Sequence, residues 1–208
     1  MKVLIVNGSP HEAGSTAAAL KIAQETLQKE GVETEWLWIG NRPISGCNGC
    51  GACKKLGKCV IEGDGVNDFA LRAKEADAFL FGTPVHYAGM AGGITSFMDR
   101  AFYSTPKSNL AFKPAASVIV ARRAGTTATY DQINKYFGIC QMPIISSRYW
   151  NMVHGKSPEE VLKDEEGVQT VRILARNLAY FLKCLSAGKA AGVPLPEGEQ
   201  VVYTNFIR

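Results

Sequence analysis

The sequence predicts an α/β fold, a five-stranded parallel sheet held between two layers of helices. Three observations carry this. Short aliphatic runs alternate with stretches of helical periodicity along the chain. The first run, Val3–Val6, is apolar without interruption, as a central strand covered on both faces requires. The chain has 208 residues, 46% hydrophobic and 20% charged, enough for one domain with a sizeable core.

Each element follows from its own pattern. Lys2–Asn7 is the first strand. Ser15–Glu30 reads as a helix, with apolar residues at Ala19, Leu20, Ala23 and Leu27, and stops at Gly31. Glu33–Ile39 is the second strand. A cysteine-rich loop (46–60) follows, then a helix over Val66–Glu75. Ala76–Phe81 is the third strand, ending at Gly82-Thr83-Pro84. Ala91–Tyr103 is helical, Ala115–Ala121 is the fourth strand, Thr127–Gly138 is helical and Pro143–Ser147 is a short fifth strand. The last helix, Asp164–Ser186, carries the stripe Val168, Val171, Ala175, Leu178, Leu182 and Leu185. Its acidic start and Lys183 near its end suit the helix dipole. The domain is expected over 1–187, with an extended arm over 188–208 that contains Pro194 and Pro196.

Net charge is +4 with scattered Lys and Arg, which excludes a nucleic-acid footprint. The N-terminal apolar run is too short for a signal peptide or a membrane span, so a cytoplasmic protein is expected, with no membrane partner. In that reducing compartment Cys47, Cys50, Cys53 and Cys59, spaced C-x2-C-x2-C-x5-C, read as metal ligands rather than disulfides. Gly49, Gly51 and Gly57 allow the tight turns needed for the four sulfurs to converge. The set suits an iron–sulfur cluster or a structural zinc, the alternative being a Gly-rich surface loop with idle cysteines. Cys140 and Cys184, alone among apolar residues, are expected to be buried.

The first strand runs into Asn7-Gly8-Ser9-Pro10-His11-Glu12-Ala13-Gly14-Ser15-Thr16 at a helix start. Free N–H groups there, with the hydroxyls of Ser9, Ser15 and Thr16, make an anion site suited to a phosphate monoester. The loop lacks the Gly-Lys-Ser/Thr ending of nucleotide triphosphatases and the G-x-G-x-x-G of dinucleotide binders. The alternative is simple helix capping by Ser15 or Thr16.

Gly8-Ser9-Pro10-x-x-x-Gly14-Ser15-Thr16 resembles the phosphate loop of the NADPH-dependent FMN reductase-like, flavodoxin-fold proteins, with His11 in place of Arg and Ser15 in place of Asn. The resemblance implies a flavodoxin-like three-layer α/β/α sandwich with strand order 2-1-3-4-5. It also implies that Pro84, Val85, His86, Tyr87 and Gly89 run along the isoalloxazine ring of FMN. The loop of Arg122 and Gly125 would lie near the ring, where Arg122 either steadies a reduced anionic flavin or is a solvated charge. Phe97-Met98-Asp99-Arg100 resembles the family's helix ending, and Asp99 and Arg100 are expected to be structural ion-pairing residues. The cysteine spacing, followed by Val60-Ile61 and Asp64, is similar to that of the iron–sulfur flavoproteins. Cys47, Cys50, Cys53 and Cys59 would then hold a four-iron, four-sulfur cluster. The implied function is FMN-dependent electron transfer from NAD(P)H or a ferredoxin-like donor to a small-molecule acceptor. The implied assembly is a homodimer or homotetramer. The other readings are a non-enzymatic flavodoxin-type electron carrier and a zinc-stabilised binding module with an empty flavin site.

Overall fold

The computed structural model describes residues 1–207. Its first elements are β1 (Lys2–Asn7), α1 (Ser15–Lys29) and β2 (Glu33–Trp38), then the short α2 (Cys53–Leu56) and α3 (Val66–Glu75). They are followed by β3 (Ala78–His86), β4 (Gly89–Met90), α4 (Gly92–Ser104), β5 (Ala115–Ala121) and α5 (Thr126–Ile139). β6 (Met152–His154), α6 (Pro158–Lys163) and α7 (Glu165–Ala190) complete the set. The parallel strands lie in the order β2-β1-β3-β5-β6, and β4 pairs antiparallel with β3. With that two-residue strand set aside, this is the expected order 2-1-3-4-5.

Alternation along β1 builds both cores. Leu4 and Val6, with Phe79 and Phe81 of β3, share one core with Phe69, Phe97 and Phe137 of the layer of α3, α4 and α5. Val3 and Ile5 face Leu20, Leu27, Leu174 and Leu178, the layer of α1 and α7. Phe69 sits amid the aromatic cluster, 5.8 Å from each of Phe79, Phe81 and Phe97 between ring centres. Such tilted contacts add to the apolar burial of the rings.

Two strands differ from expectation. The third does not stop at Phe81 but continues to His86, because Gly82, Thr83 and Pro84 stay in register with Val118, Ile119 and Val120 of β5. β1 ends opposite Gly82, so from there β3 has an open edge where a proline is tolerated. The fifth strand is Met152–His154, not Pro143–Ser147, whose only ladder contact is a bridge from Ile144 to Ala115. The buried Asn151 decides this. Its side chain accepts from Ser147 N–H at 3.0 Å and donates to Ile145 C=O at 3.4 Å, folding 146–150 into a loop. Its own carbonyl takes Ile119 N–H at 2.9 Å and returns the chain to the sheet.

The last helix begins after Asp164 as expected, capped by its carboxylate on Gly167 N–H at 2.9 Å, but runs on to Ala190. Val171, Ala175, Leu178 and Leu182 of the stripe are buried, whereas Leu185 is exposed. Cys140 is buried as expected, but Cys184 lies exposed on this helix. Residues 193–207 have no helix or strand, and Arg208 of the expected arm lies outside the described residues. No helix among the described residues is long and apolar enough to cross a membrane.

Candidate functional site

The C-terminal ends of β1, β3, β5 and β6 meet around one cleft of about 170 Å³. The β1–α1 loop contributes Ser9, His11, Ser15 and Thr16, the end of β3 Pro84, Val85 and His86, and the end of β5 Arg122. The cleft thus lies where strand order reverses about β1 and β3, the position at which open α/β sheets bind ligands.

The loop is held open from within. Buried Asn7 accepts from Ser9 N–H and donates to Glu12 C=O, both at 3.1 Å. Trp38 Nε1–H fixes Ser9 C=O at 2.8 Å, and Ser9 Oγ accepts from His11 N–H at 3.1 Å. Gly14 caps α1 without a side chain, and helical bonding starts with Ala18 N–H to Gly14 C=O. The N–H groups of Ser15, Thr16 and Ala17 therefore have no intrahelical partner and, with the helix dipole, face an incoming anion. Thr16 packs its methyl close to Gly82, where a Cβ would come within 2.9 Å of it. Arg122 is exposed and makes no salt bridge among the described residues.

Tyr87, Gly89 and Gly125, expected beside the ring, do not line this cleft. His86-Tyr87-Ala88-Gly89 forms the tight turn between β3 and β4, with Tyr87 and Ala88 at φ 48° and 60°, so the strain of a left-handed turn falls on two residues with side chains. Tyr87 projects fully into solvent and leaves the cleft to His86. Gly89 lies on the far side of the turn against Gln132. Gly125, at φ 94°, lets the β5–α5 loop close on this turn, since a Cβ there would lie 2.5 Å from Ala88 Cα. Gly125→Ala is expected to cost about 1–3 kcal/mol in stability and to displace the β3–β4 turn, read out as a lowered urea midpoint.

Gly155 and Lys156 also line the cleft and were missed from sequence. They follow β6, and only a correct placement of that strand brings their loop to this sheet edge. Past His86 a second cleft of about 460 Å³ opens between Pro10, Ile39, Ile44 and Ala91.

The cysteine loop forms a separate site against α4. Cys47, Cys50, Cys53 and Cys59 line one small cavity with Arg100, Tyr103 and Ser104. Gly49, Gly51 and Gly57 sit at φ 68°, 69° and 68° with open space around them, so the backbone conformation, not room, requires glycine. Cys59 is held on both sides of its peptide by Asn67, through bonds of 2.9 and 3.0 Å. Arg100 staples the loop. It donates to Cys59 Sγ at 3.3 Å, Ser45 C=O at 3.2 Å, Ile61 C=O at 2.7 Å and both oxygens of Asp64. Arg100 is thus the structural ion-pairing residue expected. Asp99 instead accepts from Tyr136 Oη at 2.5 Å. Desolvation and then this hydrogen bond hold the Tyr136 phenol protonated above its ordinary range.

No group of three or more His, Cys, Asp or Glu among the described residues is set to hold a metal ion. The donor chemistry nonetheless suits a thiolate-bound centre. Four sulfurs share one cavity, a guanidinium faces one of them, and the buried hydroxyl of Ser104 beside them has no partner.

Residues 1–157 match the NADPH-dependent FMN reductase family. The chain belongs to that family. As a member it is an FMN-dependent oxidoreductase. It is 31% identical over 192 residues to an iron-sulfur flavoprotein of Methanocaldococcus jannaschii, covering 89% of this chain and 99% of that one. An iron-sulfur flavoprotein of Methanosarcina thermophila is 25% identical over 195 residues, 91% of this chain and 99% of that protein. In fold it is similar to the flavoenzyme NAD(P)H:(acceptor) oxidoreductase of Paracoccus denitrificans. The TM-score is 0.64 at 16% identity, over 88% of this chain and 97% of the other.

Proposed function

We propose that this family member is an oxidoreductase of the iron–sulfur flavoprotein kind, with FMN in the cleft at the sheet edge and a four-iron, four-sulfur cluster on Cys47, Cys50, Cys53 and Cys59. The observation that carries the reading is the convergence on one cleft of Ser9, Ser15 and Thr16 from the end of β1, Arg122 and Lys156 from the ends of β5 and β6, and the Pro84–His86 end of β3. FMN, when bound, supplies the uptake and release of a hydride or of single electrons, chemistry that no side chain provides. The residues bind and orient. The first turn of α1 with Ser9, Ser15 and Thr16 holds the phosphate, and His11, Arg122 and Lys156 add positive or donor character around it. Pro84, Val85 and His86 present backbone and a flat ring to the flavin.

The cluster reading is supported by the thiolate set around one cavity and by the relatives named iron-sulfur flavoprotein. NAD(P)H is proposed as donor, following the family, with a ferredoxin-like protein as the alternative donor. The acceptor is a small molecule, for which the second cleft beside His86 offers room. A homodimer or homotetramer is proposed because Val202, Tyr203, Phe206 and Ile207 of the arm are exposed apolar residues, and a second copy would cover them.

The test is anaerobic purification of the full chain followed by an absorbance spectrum, assay of FMN, iron, sulfide and zinc, and light scattering. One FMN per chain, with iron and sulfide in equal amounts, is expected in a particle of two or four chains. FMN without iron or sulfide would remove the cluster. Zinc without flavin would overturn the whole reading.

A further inference from the structure

We propose that the hydroxyl of Ser104 is a built-in donor to the centre held by the four cysteines and raises its reduction potential. The inference rests on the cluster reading above and concerns residues that reading leaves unused.

Buried hydroxyls in folded proteins are nearly always hydrogen-bonded, because an unpaired one forfeits its hydration. Among the described residues, Ser104 Oγ and Thr105 Oγ1 break that rule. They are neighbours in sequence, yet their surroundings differ. Ser104 lines the cavity shared by Cys47, Cys50, Cys53 and Cys59, whereas Thr105 does not. A serine at the end of a helix commonly turns its hydroxyl onto the carbonyl four residues back. The Ser104 hydroxyl does not donate to Arg100 C=O, although the residue ends α4 and that carbonyl is one turn away. Ser104 is thus a residue of the cysteine cavity whose buried hydroxyl has no protein partner.

Arg100 makes the same point from one turn earlier on α4. Its Nε–H already faces Cys59 Sγ at 3.3 Å. Positions 100 and 104 lie on one face of a helix, so two donors one turn apart address the same thiolate site. Arg100 also anchors the loop, and its removal would confuse electronic with structural effects. The Ser104 hydroxyl has no protein partner, which lets its contribution be read alone.

Hydrogen bonds to the sulfurs of an iron–sulfur cluster favour the reduced, more negative state and raise the potential. Ser104→Ala, prepared anaerobically as the full-length protein, should retain wild-type iron and sulfide and show a cluster potential shifted below wild type in a redox titration followed by absorbance and electron paramagnetic resonance. Thr105→Val removes the other unpaired hydroxyl, outside the cavity, and should leave the potential unshifted. In the metal-free protein Ser104→Ala should unfold at the same temperature as wild type or higher, because it deletes an unsatisfied group. An unshifted potential in fully loaded Ser104→Ala overturns the assignment, as does an equal shift in Thr105→Val. Lowered thermal stability of metal-free Ser104→Ala with an unshifted potential would mark the hydroxyl as purely structural. Wild type without iron or sulfide overturns the cluster reading and this inference together, an outcome distinct from the others.

Discussion

Replacing Arg100 with Met should lower folding stability by about 3–5 kcal/mol, because it leaves the Asp64 carboxylate buried without its partner. For a domain of this size that is a fall of roughly 6–20 °C in Tm. The Arg100 side chain is 1% exposed and that of Asp64 12%. The same substitution frees the carbonyls of Ser45 and Ile61, so both flanks of the cysteine loop lose their tie to α4. Arg100→Lys keeps the charge but cannot span Asp64, Ser45, Ile61 and Cys59 at once, so it should fall between wild type and Met. Thermal and urea unfolding of the metal-free protein measure the effect, and a Tm within a degree or two of wild type would show that the staple carries no stability.

The second large effect concerns the phosphate loop. The double variant Ser15→Ala, Thr16→Val should weaken FMN binding by about 100-fold or more. In the proposed site this would remove two hydroxyl bonds to a charged phosphate together, each worth about 1.5–3 kcal/mol. Valine at 16 preserves the methyl packed near Gly82, so the loop should keep its shape. Quenching of flavin fluorescence on titration into apoprotein gives the affinity. Under the proposed cluster reading, the cysteine site, built from another part of the chain, should keep the iron content of wild type. An affinity within threefold of wild type would place the phosphate elsewhere.

Much of this protein is written in local sequence. The aliphatic runs at β1 and β5, the apolar spacing of α1, α3 and α7, and the stop at Gly31 each depend on residues within one element, where backbone geometry and periodicity act directly. The same holds for the hydroxyl loop at the start of α1, since a strand feeding a helix N-terminus creates its anion site without help from distant residues. The glycines between the cysteines are likewise legible, because a positive φ is a property of one residue.

Tertiary structure decided the rest. β6 is three residues long, too short for any period, and Asn151 selects it by bonds reaching Ile119 in β5. Lys156 enters the cleft only as a consequence of that choice. Tyr87 and His86 are adjacent aromatic residues in sequence, and the turn alone sends one to solvent and the other to the cleft. Arg100 and Cys59 stand 41 residues apart, and only the docking of the cysteine loop on α4 brings guanidinium to sulfur. Periodicity reports which face of an element is buried. Which polar groups meet there depends on how two faces are packed together, and no short stretch of sequence contains both.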